Sequence, residues 1–325
     1  MHQKAGKIVQ LFRQENGFIS GEHLSRELGV SRTAIWKHIS ALRKGGYTIE
    51  AVPSRGYRLV GTPDVLERHG IAAAVAGCVV GRRLELREQT TSTNADAFRL
   101  AEEGAVEGTV VIAESQSGGK GRRGRIWASP PLVNLYCSII LRPDIMPQGA
   151  PQLTFLSAVA VARAIEMTTP LLPEIKWPND LLISGKKVAG LLNEMSAETD
   201  AVNFVILGIG VNLNMTGEQF PADLPYPATS LKLESGVAVD RSRFAGVMLH
   251  ELDRLYDEFC RRGFGPIREE WQRRCNANGR QLLVTDSGAE PVRGGFAGID
   301  GDGALLLDTG HNKLHRITCG DVRIL

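Results

Sequence analysis

Between Ser115 and Pro131 the chain reads SQSGGKGRRGRIWASPP, with four basic side chains, four glycines, two prolines and one tryptophan. Guanidinium groups beside free backbone N–H groups are what phosphate and carboxylate oxygens bind. Gly119, Gly121 and Gly124 fit G-x-G-x-x-G, a dinucleotide-binding turn that needs a strand before it and a helix after it. GTVVIAE (108–114) supplies the strand, but Pro130 and Pro131 stand where the helix would run. A P-loop is excluded, because Gly121 follows Lys120 where Ser or Thr is required. Two readings stay open at this point: a solvated basic turn and a mobile loop that closes over an anion.

Other stretches carry chemistry as well. TTSTNADA sets Ser92, Thr93 and Asn94 side by side at a helix start, where capping needs only one of them. In KWPNDLLISGKKVAGLL, the run Trp177-Pro178-Asn179-Asp180 breaks a strand, and a hairpin at Ser184-Gly185 presents Lys186 and Lys187. LGIGVNLN brings glycines and Asn212 to a strand end, where a ligand gains access to the backbone. His311, His315 and Cys319 lack matching acidic partners, so no metal site is expected. There is no G-x-S-x-G and no H-E-x-x-H, hence no evident protein nucleophile.

These residues need a scaffold, and 325 residues with 43% hydrophobic content allow two or three domains. No run of about 18 apolar residues occurs, the start lacks a signal-peptide pattern, and five scattered cysteines suggest no disulfide framework. The expectation is a cytoplasmic protein without a membrane partner. The net charge of +2 is uneven. Residues 1–60 hold ten Lys and Arg against four Asp and Glu, a net of +6, and the remainder carries −4. A basic segment of this kind points to nucleic acid.

That segment has the pattern of a winged helix-turn-helix. Ile8, Leu11 and Phe12 share one helical face; Ser20 caps a short helix with Leu24 and Leu28; Gly29 turns; Ser31 caps a second helix that stops at Gly45-Gly46. Ile35, Ile39 and Leu42 face inward, which leaves Ser31, Arg32, Thr33, Trp36, Lys37 and Ser40 for DNA, with Arg55 near the tip of a following hairpin. After a linker near Thr62-Pro63, strands are expected at GTVVIAE, LYCSIIL, EIKW, DLLIS, KVAGLLNEM and VNFVILGIGVNL. Helices are expected at STNADAFRLAEEG, PQLTFLSAVAVARAIEMT and RSRFAGVMLHELDRLYDEFCRRG. Five short strands after residue 275, with a turn at Asp300-Gly301-Asp302-Gly303, imply a small SH3-like barrel.

With these pieces in place the chain resembles the bifunctional biotin–protein ligases that also repress the biotin operon. The basic loop with its Trp stands at Gly119–Arg125 and Trp127, K-W-P-N-D at Lys176–Asp180, K-K-x-A-G at Lys186–Gly190, an S-T-N motif at Ser92–Asn94, and G-x-G-x-N at Gly208–Asn212. Lys120 replaces the first Arg of the family's loop, which keeps the charge and loses the planar fork.

The resemblance implies an α+β multidomain fold: a winged helix-turn-helix at 1–62, a central mixed-sheet catalytic domain of the biotin/lipoate ligase type at 63–275, and an SH3-like β-barrel at 276–325. It implies ATP, Mg²⁺ and biotin, with a biotin carboxyl carrier domain's lysine as acceptor, operator DNA as partner, and a homodimer when biotinyl-5′-AMP is bound. On the biotin side it implies Ser92, Thr93, Asn94 and Gln116 at the ureido ring, together with Lys120, Gly121, Arg122 and Lys187, the last of which reaches the carboxyl and phosphate oxygens. At the nucleotide it implies Arg122, Arg125, Trp127, Asn179 and Asn212. Arg122 and Lys187 are the expected catalytic groups. The rival readings are a lipoate-type ligase and a biotin-sensing DNA-binding regulator without ligase activity.

Overall fold

A computed structural model describes residues 2–325 apart from Asn16, Gly45, 62–64, Pro225, 287–289, His311 and Asn312. The helix stop at Gly45, the linker at Thr62-Pro63 and His311 therefore fall outside the described residues. The chain forms two compact units, Met1–Val65 and Leu66–Leu325.

The first unit runs α1 (His2–Glu15), α2 (Gly21–Leu28), α3 (Arg32–Lys44), then the antiparallel hairpin β1 (Thr48–Val52) and β2 (Gly56–Gly61). Both expected N-caps form: Ser20 accepts from the His23 N–H at 3.1 Å and Ser31 from the Ala34 N–H at 3.2 Å. Ile8, Phe12, Leu24, Ile35 and Ile39 close one small core with Ile49 of the hairpin. Val9 belongs to that core too, while Leu11 is only half-buried at its margin.

The second unit runs α4 (Arg68–Ala74), β3 (Arg83–Arg87), α5 (Thr93–Glu102), β4 (Thr109–Ala113), β5 (Leu135–Leu141), α6 (Gln152–Thr168), β6 (Glu174–Lys176), β7 (Asp180–Ile183), β8 (Lys186–Ala197), β9 (Val202–Val211), α7 (Leu231–Ser235), α8 (Arg241–Arg262) and α9 (Gly265–Arg274). It ends with β10 (Gln281–Thr285), β11 (Val292–Ile299), β12 (Leu305–Asp308), β13 (Leu314–Ile317) and β14 (Asp321–Ile324). Among the described residues the larger sheet has the order β3-β4-β5-β9-β8-β7-β6, with only β3 and β4 parallel. The smaller antiparallel sheet has the order β13-β12-β11-β10-β14.

Strand parity separates the two faces of the large sheet. Cys137, Ile139, Leu207, Ile209, Leu191 and Leu181 belong to the main core with α6 and α8. On the opposite face, Val111, Ile140, Phe204 and Ile206 pack under Ala97 and Ala101 of α5. Farther along that face the cross-strand rows are Ser138–Gly208–Leu192 and Tyr136–Gly210–Gly190–Asp180–Lys176. The second unit begins at Leu66 and joins the rest of the expected central segment, to residue 275, with the expected segment at 276–325. The small sheet is pinned to the large one by the Trp177 Nε1–H, which donates to the Gly303 carbonyl at 3.1 Å. Phe155 also fills the space where a side chain at residue 303 would lie.

Candidate active site and nucleic-acid face

A cavity of about 490 Å³ opens on the glycine-rich rows of the large sheet. The sequence suggested that a ligand meets the backbone there; instead the protein's own side chains do. A Cβ at Gly210 would lie 2.6 Å from Trp127 Cε2, one at Gly190 2.9 Å from Trp127 Cζ3, and one at Gly208 2.2 Å from Asn94 Oδ1. The glycines therefore form a floor that admits an indole and an amide, and these two groups wall the cavity.

At one end lie the small polar groups. Ser92 is the N-cap residue of α5, yet its hydroxyl makes no capping bond. The cap comes from Gln116, whose Oε1 accepts from the Thr93 N–H at 2.8 Å and the Thr93 hydroxyl at 3.2 Å, while its Nε2 donates to Ser129 at 3.0 Å. Three adjacent polar residues thus have three uses: Ser92 lines the cavity, Thr93 is fixed by Gln116, and Asn94 is fixed from three sides. Asn94 donates to the Leu192 carbonyl and to Glu194, and accepts from Ser138 at 2.6 Å. Ser138 also stands 2.8 Å from Thr93 Oγ1. It is a fully buried supporting residue that sequence reading missed, although its strand parity with Cys137 held the signal.

The basic loop is a closed hairpin. Gly121 N–H donates to the Arg125 carbonyl at 2.7 Å and Trp127 N–H to the Gly119 carbonyl at 2.9 Å, around a single 3₁₀ turn at Arg122–Gly124. Arg123 holds a left-handed conformation (φ 57°) there, uncommon for a side chain with a Cβ. Arg122 donates to Asn179 Oδ1 at 3.1 Å, and Asn179 Nδ2 to the Leu191 carbonyl at 2.7 Å. Burial, then the neighbouring Arg123, lowers the Arg122 pKa against the opposing pull of Asp180 and Asp321. Arg125 lines the cavity, but its guanidinium pairs with Asp321 at 2.7 Å. Arg123 pairs with Asp286 and, at 3.6 Å, with Asp321. Two of the loop's four cations are thereby committed to the small sheet, an arrangement no local spacing announces.

Lys187 pairs with Asp180 at 2.6 Å, and its Nζ lies 5.4 Å from the centre of the Trp127 ring. Lys120 and Gly121 also line the cavity. Asn212 is buried and tied at both ends: its Nδ2 donates to the Thr229 carbonyl at 3.1 Å and its Oδ1 accepts from Asn134 at 3.3 Å. The Thr229 bond anchors the chain next to Ala228, and Phe220, Asp223, Leu224 and Tyr226 add to the cavity wall. The buried Trp127 Nε1–H finds no acceptor among the described residues. Sequence reading assigned no role to Asp180, Lys176 or Asp321. No cluster of three or more metal-ligating side chains occurs among the described residues, and no described helix is long and apolar enough to cross a membrane.

In the first unit, Arg32, Thr33, Trp36 and Lys37 are exposed along α3, Trp36 at 59%, with Ser40 half-buried. Arg32 pairs with Glu22 at 2.8 Å. Arg55 is in the hairpin turn as expected, with its guanidinium 4.4 Å from the Phe18 ring centre; Arg58 stacks on the same ring at 4.7 Å.

Three family models match the chain: an HTH domain over residues 4–58, the biotin/lipoate A/B protein ligase family over 86–212, and the biotin protein ligase C-terminal domain over 279–324. Among curated relatives, the bifunctional ligase/repressor BirA of Bacillus subtilis (strain 168) is 42% identical over 98% of this chain and 97% of its own length. That of Escherichia coli (strain K12) is 32% identical over 93% and 91%. Among solved structures, the biotin protein ligase from Aquifex aeolicus in complex with biotin and ATP superposes with a TM-score of 0.65 at 26% identity. That match covers 75% of this chain and all of the other.

Proposed function

The chain belongs to the family of bifunctional biotin ligase/repressors, and on that premise we propose how its own residues divide the work. Biotin and ATP give biotinyl-5′-AMP and pyrophosphate; a lysine of a biotin carboxyl carrier domain then takes the biotinyl group and AMP leaves. The observation that carries this reading is one cavity lined both by hydroxyl and amide groups (Ser92, Thr93, Asn94, Gln116) and by a set of cations (Lys120, Arg122, Lys187). A ureido ring presents one acceptor and two donors, which Ser92, Thr93, Gln116 and the amide of Asn94 match in type. A carboxylate and an α-phosphate must approach each other against like charge, and Arg122, Lys187 and Lys120 offset that repulsion. The adenylate is a mixed anhydride, activated already, so no enzyme nucleophile is required.

Trp127, seated on Gly190 and Gly210, offers its face and its spare N–H to the nucleotide. Asn179 and Asn212 hold that end of the cavity in shape, and Arg125 reaches the nucleotide by exchanging Asp321 for phosphate. Asp180, paired with Lys187 on the cavity floor, is the carboxylate that would help hold a Mg²⁺ ion bound with ATP, and the ion would supply charge neutralisation at the phosphates. The basic winged unit binds operator DNA through Ser31, Arg32, Thr33, Trp36, Lys37, Ser40 and Arg55, as a homodimer formed with biotinyl-5′-AMP, in the cytoplasm. Phosphate contacts by such a unit supply affinity, and paired heads on an inverted repeat supply specificity.

Mass spectrometry of a carrier domain incubated with the protein, biotin and Mg-ATP tests the enzymatic part. One biotinyl group per acceptor lysine, absent without ATP, is the expected result. An unmodified carrier, or lipoate used in preference to biotin, overturns it.

A further inference from the structure

Four of the cavity's cations already have a polar partner: Arg122 on Asn179, Lys187 on Asp180, Arg125 on Asp321, and Arg123 on Asp286 and Asp321. Lys120 is exposed. Lys176 is different. It is half-buried in the cavity, and no carboxylate pairs with it among the described residues. Its ammonium group lies over the Tyr226 ring, 4.4 Å from Nζ to the centre. Sheet register gives its position. Lys176 is the last member of the row Gly210–Gly190–Asp180–Lys176, one strand beyond Asp180 and two beyond the glycine under Trp127. Neighbouring strands lie about 4.8 Å apart, so Lys176 stands roughly one phosphate farther along the floor than the Lys187–Asp180 pair.

We propose that Lys176 binds the β- and γ-phosphates of ATP and the pyrophosphate that leaves. The proposal rests on the adenylation reading above. In that step a carboxylate oxygen of biotin bonds to the α-phosphorus, and the bond from that phosphorus to the bridging oxygen breaks. The oxygen departs with the electron pair as part of pyrophosphate, so no proton need move. Charge that was spread over a triphosphate becomes concentrated on the leaving group, and a cation at the far end of the row lowers that cost. Burial already depresses the Lys176 pKa, with Asp180 opposing and Lys187 reinforcing the shift. A polyanion beside it reverses this, whereas biotinyl-5′-AMP, with only an α-phosphate, does not extend so far.

That difference makes the role separable. In the full-length protein, Lys176→Gln is compared with wild type in biotin-dependent ATP–pyrophosphate exchange and, separately, in transfer from supplied biotinyl-5′-AMP to a carrier domain. Exchange should fall, and the pyrophosphate concentration for half-inhibition should rise, on the order of ten- to a hundredfold, the loss of one charge-assisted contact. Transfer should be unchanged, which also reports that the variant is folded. Lys176→Arg, which keeps the charge, should recover much of the exchange. Unchanged exchange in Lys176→Gln overturns the proposal. So does an equal fall in both half-reactions, the mark of a structural or α-phosphate role. If wild type forms no biotinyl-5′-AMP, the adenylation reading fails and this one falls with it.

Discussion

Gly210→Ala tests the central structural claim, that glycines hold Trp127 in place. The added Cβ would meet Cε2 of the indole at 2.6 Å, Nε1 at 2.7 Å and Cζ2 at 3.0 Å. Ordinary carbon contacts begin near 3.5 Å, so the ring must retreat by about 1 Å. It has little room. Its lower edge is on Gly190, its backbone N–H donates to Gly119, and its carbonyl accepts from Ser129 at 3.0 Å. Overpacking of this kind costs about 1–3 kcal/mol when the structure strains to absorb it. The alternative is that the ring swings out and loosens the hairpin, in which case adenylate affinity carries the loss.

Urea unfolding and titration with biotinyl-5′-AMP, read together, capture either route. Gly217→Ala is the control, because a Cβ there meets nothing within 4 Å. In a Trp127→Ala background the cost of Gly210→Ala should largely vanish, a coupling of about 1–3 kcal/mol. Wild-type stability together with wild-type adenylate affinity for Gly210→Ala would refute the argument.

Other outcomes follow from the same geometry. Arg122→Gly should weaken biotinyl-5′-AMP more than free biotin by about 1.5–3 kcal/mol, one charge-assisted hydrogen bond to phosphate; equal weakening in calorimetry means Arg122 does not touch the phosphate. Asp321→Asn releases Arg125 and part of Arg123 from half-exposed pairs. It should cost about 1 kcal/mol or less in stability yet change adenylate affinity, and no change in affinity separates the small sheet from ligand binding. Deleting residues 1–62 should abolish operator binding and leave adenylation measurable, while a soluble truncation without adenylation ties the basic unit to the active site. Sedimentation and operator-shift assays should show dimer formation and tight DNA binding with biotinyl-5′-AMP only; equal values without it exclude the switch.

Local signals were legible where one residue type has one physical use. The N-caps Ser20 and Ser31, the inward stripe Ile35–Ile39–Leu42 and the strand at LYCSIIL all read correctly from the local pattern. β3 and α9 escaped: Arg83–Arg87 alternates Leu84 and Leu86 with charge over a short span, and Gly265–Arg274 shows only Ile267 and Trp271 as large apolar residues. The site residues clustered in the cavity as the motifs suggested, but their partners were not legible. Nothing near Gly208 says that Asn94 fills its missing side chain, and nothing near Arg125 says that Asp321, 196 residues later, holds it. Such pairings come from sheet register and from the docking of the small sheet, both of which are long-range.

That docking bears on how one site serves two outputs. Within the second unit the basic hairpin touches both possible controllers: the cavity through Arg122 and Trp127, and the small sheet through Arg123 and Arg125. In the proposed scheme a ligand with a phosphate competes with Asp321 for Arg125, whereas free biotin carries no such phosphate. The proposed intermediate therefore differs from its precursor at the contact that ties the hairpin to the rest of the unit. Because the adenylate is chemically activated, holding it without spending it requires a closed hairpin, and spending it requires a carrier lysine to reach the same mouth. Under the proposed dimer scheme, a surface completed by the closed hairpin is available to a second subunit only while no carrier occupies it. On this argument carrier concentration sets DNA occupancy through competition for one mouth, with no separate biotin sensor required.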